Sequence, residues 1–159
     1  MINELIDFYY KKELHEEALE LLVKLSKDSN LPDLVVKYLQ KLKNDNLGLV
    51  LKYADWPISI MESYGIEIFL NSQYAESFNR KQVIDYLASK SQNLERIYLE
   101  YIIVELGDET RVFNTRLVEI YYECLKHEDD KQDSIYYKKL YTFLQSGNYD
   151  ASQVLKMVP

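Results

Sequence analysis

At 159 residues the chain is one domain's worth of polypeptide, and its 4 Gly and 3 Pro beside 15 Tyr and a 47% hydrophobic fraction exclude a collagenous, linker-like or disordered chain and a many-turned β-protein. Nineteen Lys and Arg against 26 Asp and Glu leave a formal charge of −7, a field that repels phosphate backbones, so no nucleic acid partner is expected. No stretch reaches 18 uncharged apolar residues, and MINELIDFYYKK lacks a cationic run followed by an apolar core, so neither a transmembrane segment nor a signal peptide is expected.

Helical periodicity dominates from the first residues. Leu5, Ile6, Phe8 and Tyr9 fit a helix near 2–12. Ala18, Leu21, Leu22 and Leu25 then recur at three and four residues, with Glu16, Glu17, Glu20 and Lys24 on the other face. The link Glu13-Leu14-His15 is short enough to demand an antiparallel helical hairpin. Leu34, Val35, Tyr38, Leu39 and Leu42 predict a third helix near 31–43 with Pro32 in its first turn, where its missing N–H costs nothing. The run LGLVLKYA (47–54) suits a buried strand or a helix, and the lack of a partner strand favours helix. Pro57 is expected to open another helix, and Ile66, Phe69 and Leu70 a further short one interrupted by Gly65.

Punctuation is clearer in the second half. Asn79 with Gln82 resembles a capping box ahead of Val83, Ile84 and Leu87. Asn93 is expected to cap a helix with two apolar stripes, Leu94-Ile97-Tyr98-Tyr101 and Leu99-Ile103-Leu106, sandwiched between layers and ended by a left-handed Gly107. A helix follows near 110–126. The polar stretch KHEDDKQDS (126–134) separates it from another near 134–146 that ends at Gly147, and Asp150 with Gln153 starts the last.

An internal echo pairs Leu5 with Leu140, Phe8 with Phe143, Leu14 with Tyr149, His15 with Asp150 and Leu19 with Val154. One such hairpin cannot bury both its faces, whereas stacked hairpins bury them in turn. The expected fold is all-α, an α-solenoid of stacked antiparallel helical hairpins with about ten helices. Residues 1–159 form a single α-solenoid segment, which the closing VLKMVP suggests is a fragment of a longer protein.

No catalytic, cofactor-binding or metal site is expected. Cys124 lies on an apolar helical side with Phe113, Leu117 and Ile120, as a small buried residue would, and a lone cysteine cannot close an internal disulfide. His15 is expected to cap the helix after the first turn, and His127 lies beside Glu128, Asp129 and Asp130 in a solvated charge run. Neither a closed nitrogen and sulfur set for zinc, nor the DxDxDG order of a calcium loop, nor a glycine-rich phosphate loop is present. Glu16 and Glu17 sit on an exposed face, and an enzyme would need Glu100, Glu105 or Glu119 to converge. In the doublets Tyr9-Tyr10, Tyr121-Tyr122 and Tyr136-Tyr137 consecutive rings point about 100° apart, so one can pack within its hairpin while its neighbour meets the next layer or a partner.

YYKKELHEEALELL (9–22), VVKYLQKLKNDNLGLVLKYADW (35–56) and YLEYIIVELGDETRVFNTRLVEIYYECL (98–125) resemble, in that order, the α-solenoid of the vacuolar protein sorting thirty-nine (Vam-six) family, over roughly residues 5–146. Two positions depart from the family pattern: Glu13 stands where the hairpin turn calls for glycine, and Asn114-Thr115 where relatives carry a His-containing pair. The CORVET subunit similar to the TGF-β-receptor-associated protein is the alternative subfamily. The resemblance implies a clathrin-heavy-chain-repeat-like scaffold without enzymatic activity or cofactors, cytoplasmic and peripheral on vacuole, lysosome and late endosome membranes. It implies a protein-interaction segment of a HOPS-type membrane-tethering subunit acting in endosome and lysosome or vacuole fusion, with other HOPS or CORVET subunits, a Rab-seven-type GTPase and organelle-contact proteins as partners; the alternative is a helical-repeat adaptor or clathrin-like coat segment that binds another protein.

Overall fold

The computed structural model describes residues 2–29, 32–72, 74–127, 134–145 and 147–156, and the regular structure in them is entirely helical. Among the described residues there are ten α-helices and no strand, with helical-hairpin packing consistent with the all-α solenoid class expected. The chain divides into two compact units, Met1–Tyr86 and Leu87–Pro159, with the boundary inside the sixth helix.

In the first unit α1 (Ile2–Lys11) folds back on α2 (His15–Ser29), followed by α3 (Asp33–Leu39), α4 (Leu47–Ile60), α5 (Glu62–Leu70) and the start of α6 (Arg80–Lys90). Glu13 makes the first turn with φ of 59°, the left-handed conformation that glycine adopts without cost and other residues do not. Glu13 is thus a strained residue in this turn. Ala18, Leu19, Leu22, Val35, Leu39, Val50, Ala54, Ile68 and Phe69 are buried as the core, and the Phe69 ring meets Phe78 and Tyr86.

Two expectations fail where α4 meets α5. Pro57 does not open a helix; it is buried inside α4, which continues to Ile60 and breaks at the extended Met61. Its missing N–H removes one bond of the ladder, and burial of the ring against the core outweighs that loss. Gly65 does not interrupt α5 either. A Cβ there would lie 2.1 Å from Ile58 Cγ1 and 3.0 Å from Ile58 Cα, so glycine is required by the close approach of the two helices.

Polar side chains replace glycine and proline in closing the turns. Gln40 Nε2 donates to the Glu67 carbonyl at 3.1 Å, and Ser72 Oγ to the Gln40 carbonyl at 2.9 Å. Asn79 caps α6 by accepting from Gln82 N–H at 3.1 Å. Its own N–H goes to Asn44 Oδ1 at 2.7 Å, where a capping box would use the Gln82 side chain.

The second unit holds α7 (Gln92–Glu100), α8 (Arg111–Lys126), α9 (Ile135–Leu144) and α10 (Ala151–Leu155). Ser91, two residues before the expected Asn93, caps α7 by accepting from the N–H of Asn93 and Leu94. Asn93 lies inside the helix and its Oδ1 receives Arg96. After Glu100 the helix widens into a π-helical turn, Tyr101–Glu105, and closes at Gly107 with φ of 71° and an Asp108 N–H to Ile102 carbonyl bond of 2.9 Å. The extra residue in that turn shifts the two expected stripes: Leu94, Tyr98, Leu99 and Ile102 are buried, while Val104 turns outward.

Asn114 and Thr115 are buried and structural. Asn114 Nδ2 donates to the carbonyls of Asp108 and Thr110, locking the Gly107 turn, and Thr115 Oγ1 accepts the Asp150 N–H at 2.7 Å. Ser134 and Asp150 cap α9 and α10, and Gly147, expected to end the helix before it, lies beyond α9 in the left-handed conformation. Residues 128–133, the centre of the polar stretch, lie outside the described residues.

Candidate interaction surface

The buried side of the second unit is organised around one carboxylate. Glu100 receives Arg96 from its own helix, Tyr121 OH at 2.7 Å from α8 and Lys139 Nζ at 2.8 Å from α9. Burial alone would raise the Glu100 carboxyl, but the hydrogen bonds from Lys139 and Tyr121 and the charges of Arg96 and Lys139 hold it below its ordinary value. Burial and the Glu100 bond push the Tyr121 phenol up, so it stays a donor. The Tyr121 ring also meets Tyr136 and Phe143, each at 6.3 Å between centroids, and the Arg96 guanidinium lies over Tyr136. Three helices are thereby pinned through ion pairs and aromatic edges.

Above this network opens a groove of about 530 Å³. Val104, Ile135 and Phe143 supply its apolar walls, Val104 with 70% and Ile135 with 60% of its surface exposed. Lys138 and Thr142 complete the rim, while Glu100, Tyr121 and Lys139 form its base. These large apolar side chains thus stand open to solvent above a base held by hydrogen bonds from three helices. Two of the three doublets are divided in burial, Tyr121 buried with Tyr122 half-buried and Tyr136 half-buried with Tyr137 exposed, and the first is not. Tyr9 and Tyr10 are both half-buried, Tyr10 meeting His15 and Tyr38.

The residues considered for chemistry are dispersed or neutralised. Glu95 is bound bidentately by Arg116 at 2.8 and 3.0 Å, Glu119 pairs with the same guanidinium and Gln153, and Glu105 is exposed. Cys124 is half-buried rather than fully buried, and His127 sits exposed at the end of α8. Among the described residues no cluster of His, Cys, Asp and Glu could hold a metal ion.

His15 does not cap α2. It is the first residue of that helix, buried, with Nδ1 2.7 Å from Tyr38 OH and its ring against Tyr10 and Tyr38. A smaller concavity of about 330 Å³, lined by Tyr10, His15, Lys41 and Asn46 among others, opens beside it. Burial lowers the His15 pKa against a weaker opposing pull from Glu13, and burial, Tyr10 and Glu17 push Tyr38 up to about 12. The neutral imidazole is the folded form, so its contribution is complete above the unfolded value of about 6.5 and is lost as pH falls below it toward the folded-state pKa. The urea midpoint of the first unit is expected to drop between pH 7.5 and 5.5. His15→Gln should flatten that dependence and His127→Gln leave it intact; an unchanged slope in His15→Gln contradicts the assignment.

Sequence reasoning did not single out Val104 or the Glu95–Arg116 pair. The unbroken apolar run Ile102-Ile103-Val104 before Gly107 was the available signal for the first; the second joins residues 21 apart and leaves none in local spacing.

Antiparallel helical hairpins within each unit, and an apolar groove on the second, define an all-α protein of hairpin-packed helices. The family described as Vacuolar sorting protein 39 domain 1 matches residues 1–58. The Vam6/Vps39-like protein of Mus musculus is 36% identical over 76% of this chain and 14% of its own length. Vacuolar morphogenesis protein 6 of Schizosaccharomyces pombe is 31% identical over 99% of this chain and 20% of its own. The Transforming growth factor-beta receptor-associated protein 1 homolog of Danio rerio is 30% identical over 87% of this chain and 18% of its own. The chain belongs to the Vam6/Vps39 family of vacuolar sorting proteins, and it spans about a seventh to a fifth of the length of these relatives. No solved structure gives a significant match.

Proposed function

We propose that this chain is a protein-interaction segment of a HOPS-type membrane-tethering subunit, one α-solenoid stretch of a longer protein acting in endosome and lysosome or vacuole fusion. Similarity to Vacuolar morphogenesis protein 6 over 99% of the chain carries the reading. The rigid groove of the second unit supports it, since stacked helices that expose apolar side chains suit them to hold other proteins. The segment works without catalysis, on a cytoplasmic and peripheral membrane protein, and its partners are sister HOPS or CORVET subunits, a Rab-seven-type GTPase or an organelle-contact protein. No described helix is long and apolar enough to cross a membrane, so attachment through the assembled complex fits.

The test is a graft. In the Schizosaccharomyces pombe relative, the matching stretch is replaced by this chain in a strain lacking the native protein. Restored vacuole morphology together with recovery of the other tethering subunits on the grafted protein is the expected result. A grafted protein present at normal level that restores neither would overturn the reading.

A further inference from the structure

We infer that the groove between the π-helical turn and α9 is a docking site for an amphipathic helical segment of a partner protein, one with apolar anchors one turn apart and an acidic residue beside them. This rests on the reading of the chain as an interaction segment and names the chemistry of what it takes.

Three independent observations converge on the groove. First, the π-helical turn Tyr101–Glu105 interrupts α7 without any proline, and its consequence is to present Val104 with 70% of its surface exposed. π turns are rare and frequently occur at functional sites. Second, Val104, Ile135 and Phe143 face one concavity whose base, Glu100 with Tyr121 and Lys139, is fixed by hydrogen bonds from three helices. An occupant therefore meets walls already in place and loses little in ordering them. Third, the charge is local and of one sign. The α9 sequence IYYKKLYTFL holds two lysines and no acidic residue in a chain of net −7. Lys139 is met by Glu100, whereas the Lys138 ammonium at the rim has no ion-pair partner among the described residues.

These features select the occupant. A volume of about 530 Å³ holds a few side chains, not a folded surface. Walls made by helices rather than a sheet edge call for helix-in-groove docking, read by anchors at i and i+3 or i+4. Lys138 then calls for a carboxylate next to those anchors. Because the chain as a whole is acidic, this contact acts at short range, within about 8 Å at physiological salt, and serves to choose the partner rather than to steer it.

A displayed library of randomised 14-residue helical peptides, selected on the wild-type 159-residue chain, tests the assignment. Selected peptides are expected to carry two apolar residues at i and i+3 or i+4 with an Asp or Glu beside them. They should bind the double variant Val104→Asp/Ile135→Asp at least about tenfold more weakly. Both positions are exposed, so circular dichroism and melting of the variant should match wild type. Lys138→Glu, a rim change that leaves the walls intact, should weaken the same peptides roughly two- to fivefold and turn a fresh selection toward Lys and Arg.

Peptides indifferent to the double variant, or basic peptides from the wild-type selection, would overturn the inference. So would a wild-type dimer in sedimentation that the double variant abolishes, which would make a second copy the occupant. Binding of phosphatidylserine vesicles that the double variant abolishes would likewise make a lipid surface the occupant. A successful graft beside a failed selection moves the interaction to another face, while a failed graft removes the broader reading, so the two failures are told apart.

Discussion

Gly65→Ala is expected to destabilise the Met1–Tyr86 unit by about 2 kcal/mol, the reverse of what helix propensity alone gives. Alanine in a helix interior gains about 1 kcal/mol over glycine. At this position the new methyl would lie 2.1 Å from Ile58 Cγ1 and 3.0 Å from Ile58 Cα. The first contact demands movement of a side chain buried in α4 and the second of backbone, and overpacking of this kind costs about 1–3 kcal/mol, more when the backbone must yield. Ile58→Ala alone should cost about 2–4 kcal/mol as a core truncation. Once it removes Cγ1, the added cost of Gly65→Ala should fall below about 1 kcal/mol. Urea titrations of the four chains of this cycle, followed by far-UV circular dichroism, measure the coupling. Equal costs of Gly65→Ala in both backgrounds would show that α4 and α5 do not meet at this glycine.

Arg116→Ala is expected to cost about 2–4 kcal/mol in the Leu87–Pro159 unit. Its partner Glu95 has a side chain 4% exposed and takes both of its hydrogen-bonded contacts from the guanidinium, from Nε at 2.8 Å and Nη2 at 3.0 Å. Removing the cation leaves a buried carboxylate unpaired, a loss of about 3–5 kcal/mol where both partners are inaccessible; Arg116 is itself 36% exposed, which lowers the figure. Glu95→Gln keeps the shape and an acceptor oxygen and should cost about 1–2 kcal/mol. Replacing both partners by apolar residues, Glu95→Leu/Arg116→Met, should restore most of the loss because the buried Glu95 charge is gone, while the more exposed Glu119 keeps its Gln153 bond. Thermal and urea unfolding of the three variants check the order. A double variant less stable than Arg116→Ala would mean that the pair contributes net attraction instead of mutual neutralisation.

Local pattern made the helices legible and tertiary contact hid the exceptions. The period of Ala18, Leu22 and Val35 lies in the sequence because one face of each helix is buried, and Gly107 announces a left-handed end that holds in the structure. Pro57 and Gly65 misled because proline and glycine were read as punctuation. Both are buried within helices, where packing against neighbours outweighs propensity. Asn93 was passed over for Ser91 since both are good caps and only the local dihedrals choose between them. The histidine at the first turn looked like a cap because its partner, Tyr38, lies 23 residues away.

The groove was partly legible in the same way. Of its lining the sequence singles out only Glu100, Tyr121 in its doublet and Phe143 in the internal echo, while the three motifs give the family. What could not be read was the π turn that turns Val104 outward and the convergence of Arg96, Tyr121 and Lys139 on Glu100, because each depends on helices brought together by the fold.

The proposal that this chain joins a tether to its partners through the Val104–Ile135 groove meets its most direct test in the graft into the Schizosaccharomyces pombe relative, run with the wild-type chain beside the Val104→Asp/Ile135→Asp form at equal protein level. The wild-type graft is expected to restore vacuole morphology and recover the tethering subunits, and the altered graft to lose at least one of those subunits. Two grafts that behave alike, whether both restore or both fail, would contradict it.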